Sequence, residues 1–171
     1  MGVIEQIDSD SYEVGTTHYL PHRAVVHNER ESTKVRVVFD ASCKSGKDAP
    51  SLNDTLEAGP SLTPLLQDVL LRFRSFKKLI IADIEKAFLQ IALAPEDQDF
   101  VRFLWFRDIS KINFENFENS DFVEFKIKRV LFGVNSSPFL LAATLIKHIS
   151  PYRESDSNLL IHSFRHYILM T

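Results

Sequence analysis

The sequence predicts an α+β fold, and three observations predict it. Short runs of β-branched and aromatic residues have strand length and strand content. Two apolar patterns recur at helical spacing beside a proline. Their order along the chain is strand, helix, strand, short helix, two strands, helix, which mixes the two element types without the regular alternation of a parallel sheet. Composition agrees: 171 residues with 44% hydrophobic and 25% charged side chains suit a chain with a buried core. The length suits one domain, since domains cluster near ~100 to 150 residues.

Val35-Arg36-Val37-Val38-Phe39 reads as the first strand and stops at Asp40. Period two places Lys34 and Arg36 on one face of it. Ser42 to Pro60 is rich in Ser, Gly, Asp and Pro and reads as a long loop. From Ser61, the residues Leu62, Leu65, Leu66, Val69, Leu70 and Phe73 fall on one helical face, with Ser61 or Thr63 as N-cap and Pro64 at an early position. Leu79 to Ile84 suits a central strand buried on both faces, with Asp83 near its end and a short helix starting near Glu85. Phe100 to Phe106 and Phe122 to Lys128 read as two strands joined by a polar, Asn-rich stretch, an antiparallel pair. A last helix begins at Pro138, capped by Ser137, and buries Phe139, Leu140, Ala143 and Leu145 or Ile146.

Several function classes are disfavoured. Apolar runs fall short of the ~18 residues of a membrane span, and the N-terminus lacks the basic start and apolar stretch of a signal peptide, so the expectation is an intracellular protein with no membrane partner. The single cysteine, Cys43, leaves no internal disulfide partner and has no histidine beside it for nucleophilic catalysis. His18 and His22 are four apart, but Pro21 lies between them and no cysteine or acid completes a zinc site. Net charge is −3 with pI about 6.1, which does not announce a nucleic-acid binder. Two local basic clusters, Arg72, Arg74, Lys77, Lys78 and Lys126, Lys128, Arg129, could track a phosphate backbone or be solvated faces.

Asp83 is the residue with the sharpest chemistry. A carboxylate at the exit of a buried strand is costly unless solvated, paired or bound to metal. It could cap the next helix, or ligate Mg²⁺, a hard cation that prefers carboxylate oxygens. Around it, Ala82-Asp83-Ile84-Glu85-Lys86-Ala87-Phe88-Leu89-Gln90-Ile91 resembles the first catalytic motif of reverse transcriptases of BEL/Pao-type LTR retrotransposons. Tyr19-Leu20-Pro21-His22-Arg23-Ala24-Val25, Lys34 to Ser42, Pro50-Ser51-Leu52-Asn53-Asp54 and Phe132 to Phe139 are similar to that family in the same order and approximate spacing.

The resemblance covers residues 19–148 and implies the fingers and first part of the palm of a right-hand polymerase, with an antiparallel palm sheet and packed helices. Residues 1–18 would be an N-terminal extension and 149–171 a divergent tail. It implies that Asp83 is catalytic and holds Mg²⁺, with the main-chain carbonyl of Ile84 as a further ligand. Lys86 and Ala87 would offer backbone N–H groups to a dNTP, and Phe88 would lie under its sugar, where the alternative is plain core packing. Lys34 and Arg36 would reach the triphosphate, arginine because its planar fork grips phosphate oxygens in pairs; the alternative is a solvent-facing strand. Phe132 and Gly133 would sit against nucleotide and template base, Gly133 for close backbone approach. Leu131 stands where the family carries a proline.

The implied partners are an RNA or DNA primer-template and dNTP, and the implied cofactor is Mg²⁺. The 171 residues contain no Tyr-x-Asp-Asp sequence, so the expectation is a truncated polymerase fragment, inactive as it stands. Arg165-His166-Tyr167-Ile168-Leu169-Met170-Thr171 occupies that position, and a shifted reading frame would account for it. Two other readings stand beside this one: a non-catalytic nucleic-acid-binding module, and an unrelated small α+β interaction domain.

Overall fold

The computed structural model describes residues 2–7, 17–26, 35–75, 84–111 and 121–151. They form an α+β arrangement of two antiparallel sheets and a few helices. Strands β4 (Arg102–Phe106) and β5 (Phe122–Ile127) pair antiparallel, Phe103 opposite Phe125 and Trp105 opposite Val123, as the sequence predicts. The first of them starts later than the pattern suggests. Pro95 opens a 3₁₀ segment, Pro95–Val101, that takes Phe100 and Val101 before the strand begins.

A strand that the sequence reading does not contain completes this sheet. β1 (Ile4–Ile7) pairs antiparallel along the other side of β5, so the order is β1-β5-β4. Part of the expected N-terminal extension is therefore sheet. Four residues are too few to show a period, and their partners lie more than a hundred positions away.

β2 (His22–Val26) and β3 (Val35–Phe39) form a separate two-stranded ribbon, with Val25 opposite Arg36 and Arg23 opposite Val38. Residues directly opposite share a face. One face carries His22, Ala24, Val26, Val35, Val37 and Phe39, and the other Arg23, Val25, Arg36 and Val38. The apolar face is covered only at its base, where the His22 ring lies 5.6 Å from Phe39, 5.5 Å from Phe103 and 5.2 Å from Trp105. Further out, Val26, Val35 and Val37 are more than half exposed.

The ribbon is anchored to the sheet at residues 18–20. The Leu20 N–H donates to the Arg102 carbonyl at 2.8 Å, and the Arg102 N–H to the His18 carbonyl at 3.1 Å. Leu20, Ala41, Leu52, Phe103, Ile127 and Leu131 form the core between them. Arg102 is itself buried there. Its guanidinium reaches Asp99 at 2.8 Å and Glu124 at 3.4 Å, while the Tyr19 hydroxyl donates to Glu124 at 2.7 Å. Burial, and then the bond to Glu124, holds the Tyr19 phenol above its ordinary pKa.

The helices depart from the sequence reading in instructive ways. The expected loop at Ser42 to Pro60 contains a helical turn, α1 (Leu52–Thr55). The helix expected from Ser61 begins only at Leu66: α2 spans Leu66–Phe73 and buries Val69, while Leu65, Leu66, Leu70 and Leu71 stay largely exposed. Helix ends are held by packing more than by propensity, and here little packing rewards an earlier start. The last helix, α3 (Ser137–Ile149), includes Ser137, which is buried and donates its hydroxyl to the Leu131 carbonyl rather than capping the helix. Its buried contacts are Ser137 and Ala142; Phe139, Leu140, Ala143, Leu145 and Ile146 are half-buried. Residues 79–83 of the expected central strand lie outside the described residues, and Ile84 is half-buried and outside any strand. Among the described residues no helix is long and apolar enough to cross a membrane.

Candidate functional site

The site is built on α1. Ser51 and Asp54 form a reciprocal capping box: the Asp54 N–H donates to Ser51 Oγ at 3.2 Å and the Ser51 N–H to Asp54 Oδ2 at 3.0 Å. Lys44 reaches the same carboxylate at 2.7 Å. The Lys44 hydrogen bond first, and those from Ser51 next, pull the Asp54 pKa down to about 2. This fixes the neighbouring Asn53.

The Asn53 carboxamide donates to the Gly133 carbonyl at 3.0 Å and to Ser42 Oγ at 2.9 Å, and accepts the Asn135 N–H at 2.9 Å. In return, Asn135 Nδ2 donates to the Asn53 carbonyl at 2.7 Å and the Leu56 carbonyl at 3.1 Å. Two stretches singled out in the sequence, 50–54 and 132–139, are thus bound to each other through a pair of asparagines. Gly133 sits at φ 96°, and a Cβ there would lie 3.1 Å from the Phe39 carbonyl oxygen. The backbone therefore approaches the end of β3 more closely than a side chain comfortably permits.

Phe132 projects from this turn with 77% of its surface exposed. Among the described residues its ring contact is Phe88, edge to face at 5.4 Å. Phe88 belongs to a 3₁₀ turn, Ala87–Gln90, that abuts α3 and replaces the helix expected near Glu85. The cause is Lys86, the one described non-glycine residue with positive φ, at 51°. A left-handed residue reverses the chain, so an α-helix cannot run through it, and only the i→i+3 bonds of Leu89 to Lys86 and Ile91 to Phe88 follow. The chain then leaves extended, Ala92 bridging to Arg129.

Of the residues expected to act, Phe88, Phe132 and Gly133 are brought together. Ala87 is half-buried beside Phe88, and Lys86 is exposed, its ammonium 3.3 Å from the equally exposed Glu85. Arg36 is exposed on β3, three residues and so about 10 Å of strand from the Phe39 carbonyl beneath Gly133. Lys34 and Asp83 lie outside the described residues. Ile84 is described, but among the described residues no group of three His, Cys, Asp or Glu could hold a metal ion.

Two features went unseen in the sequence. Arg23 shares the ribbon face of Arg36, on a diagonal of roughly 7 to 8 Å, and neither has an ionic partner among the described residues. Period two combined with the antiparallel register would have found it. Conversely, the basic cluster at 126–129 is no open patch. Lys126 and Lys128 both pair with Glu5, at 3.5 and 2.7 Å, and Arg129 is buried. Under the 132–135 turn, Leu52, Leu56, Val130, Leu131, Val134 and Leu140 line an apolar cavity of about 370 Å³. No protein-family model and no curated protein matches the chain.

Proposed function

We propose that the chain carries the fingers and first part of the palm of a BEL/Pao-type reverse transcriptase, and that these residues bind a primer-template and a nucleotide. The observation that carries this reading is the convergence of Phe88, Phe132 and Gly133, which come from two separate family-like stretches. The antiparallel bridge of Ala92 to Arg129 sets the two stretches side by side, and the pair they form leaves the Phe132 ring exposed against half-buried Phe88. An exposed ring beside close-approaching backbone is suited to stacking on a base, and base stacking on an aromatic ring contributes ~1 to 3 kcal/mol. Arg23 and Arg36, on one ribbon face and without an ionic partner among the described residues, supply positive charge for phosphates.

Mg²⁺ belongs to the proposal through Asp83 and the Ile84 carbonyl. The other carboxylates that a two-metal centre needs are not in the Tyr-x-Asp-Asp form anywhere in the 171 residues. Binding without turnover is accordingly the activity proposed for a polypeptide of this sequence.

Fluorescence anisotropy with a labelled RNA–DNA primer-template at several salt concentrations tests it. The expected result is salt-dependent binding, weakened ~1 to 3 kcal/mol by Phe132→Ala at every salt concentration. Arg36→Ala should flatten the log K against log salt slope by about one unit. Absence of binding, or binding indifferent to both substitutions, would overturn the reading.

A further inference from the structure

We infer that Asn53 is the positioning residue of this site, holding the 132–135 turn in the conformation that presents Phe132 to a base. The ligand in this inference rests on the proposed nucleic-acid reading; the geometry does not.

A primary carboxamide offers the same donor and acceptor as a peptide group. Asn53 uses both against main chain, its Nδ2 on the Gly133 carbonyl and its Oδ1 on the Asn135 N–H, so the side chain pairs with the turn as a neighbouring strand would. The second amide proton goes to Ser42 Oγ, in the turn that follows β3. The Asn53 N–H donates to the Ala41 carbonyl at 3.0 Å, and its own carbonyl accepts from Asn135. Every polar group of one residue is thereby committed to joining the end of β3, α1 and the turn before α3.

Phe132 needs such a fixture. Burial does not hold a ring that is 77% exposed, and the next residue is a glycine at φ 96°, the residue type with the most conformations to choose from. Remove the carboxamide bonds and the turn keeps its sequence but loses the constraint that aims the ring. Aspartate is the informative replacement. It has the shape of asparagine and still accepts the Asn135 N–H, but it faces the Gly133 carbonyl with a second acceptor in place of a donor. The Ser51 and Asp54 box that forms α1 does not involve the Asn53 side chain, so the helix remains.

The test compares the parent polypeptide with Asn53→Asp and Ser42→Ala. Three quantities are read: thermal melting, the NMR cross-relaxation between the Phe88 and Phe132 rings, and anisotropy with the labelled RNA–DNA primer-template. For Asn53→Asp the expected result is a melting temperature close to the parent's, loss of the Phe88 to Phe132 cross-peaks, and affinity about tenfold lower. Ser42→Ala, which removes only one partner of Nδ2, should weaken both signals by about twofold to threefold, and it carries the test if Asn53→Asp does not fold. Unchanged cross-peaks and unchanged affinity in the folded variants would overturn the inference. If the parent binds no primer-template, the proposed function fails while the cross-peaks still decide whether Asn53 positions the ring.

Discussion

Glu5 of β1 stands directly opposite Lys126 of β5, and its carboxylate is shared between Lys126 at 3.5 Å and Lys128 at 2.7 Å. A hydrogen bond from Lys128, with the nearby charge of Lys126 next, holds the Glu5 carboxyl below its ordinary pKa. The N-terminal strand therefore neutralises a stretch of basic residues that would otherwise attract phosphate without regard to sequence. If the chain binds a primer-template as proposed, Glu5→Gln should steepen the salt dependence of that binding by up to about one to two units of log–log slope, as two lysines are released. Titrating the complex with salt measures it, and an unchanged slope would show that these lysines face away from the nucleic acid.

Asp54 should titrate with a midpoint of about 2, well below its ordinary 3.8. A carboxyl whose pKa is depressed by folding contributes stability that is fully present above its unfolded pKa and lost as pH falls through the folded one. The α1 turn and the Lys44 tie should thus hold at pH 5 and weaken between about pH 4 and 2. Carboxyl carbon NMR across that range reads the midpoint directly, and Lys44→Ala should raise it. A midpoint near 3.8 in the parent chain would be the contrary result.

Arg102 is the buried charge on which the ribbon and the sheet meet, 4% exposed at its side chain. Arg102→Ala should lower stability by about 3 kcal/mol, because it leaves the part-buried Glu124 carboxylate, and Asp99 beside it, without the cation that both of them meet. Arg102→Met, which keeps the volume, should cost less. Urea denaturation distinguishes the two. A loss under ~1 kcal/mol for the alanine variant would mean that water replaces the guanidinium without penalty.

Primer extension should be absent for a polypeptide of these 171 residues in the presence of Mg²⁺ and dNTP, since Asp83 alone cannot organise two metal ions. Extension that disappears on Asp83→Ala would contradict this.

The tail yields a prediction that needs only the coding DNA. The last base of the Met170 codon joined to the first two of Thr171 gives GAC, aspartate. The last base of Leu169 joined to AT gives GAT, again aspartate, when that leucine codon ends in G. Tyr167 joined to Ile168 gives TAT or CAT, and Ile168 joined to Leu169 can give ATT. The shifted frame can therefore spell Tyr-Ile-Asp-Asp, and an insertion, a deletion or a misplaced intron boundary is expected between about Ser150 and Arg165. A leucine codon at Leu169 ending in A, C or T, or a stop immediately before the motif in the shifted frame, rules it out.

What was legible in the sequence is what depends on neighbours along the chain. β-branched and aromatic content reveals β3 and the β4–β5 pair because strand preference is carried by the residues of each run themselves. Helical spacing and Pro138 reveal α3. What depends on distant partners was hidden. β1 exists because β5 is there to pair with it, and Asn53 matters because Gly133 and Asn135 lie some eighty residues away. The turn at Lys86 was hidden for another reason: nothing in Ile84-Glu85-Lys86-Ala87 excludes a helix, and the left-handed conformation appears only when the chain must leave toward Arg129.

The pairing of β1 with β5 has a consequence in time. Glu5 and Lys128 are 123 residues apart, so β1 leaves the ribosome long before β5, the strand with which it pairs. At ~5 to 20 residues per second that is roughly 6 to 25 s, and closing so long a loop costs ~4 kcal/mol of chain entropy before any contact repays it. During synthesis Ile4 to Ile7 is a solitary strand with a glutamate at its centre, and that charge discourages premature pairing with another nascent chain until the strand meets its lysines.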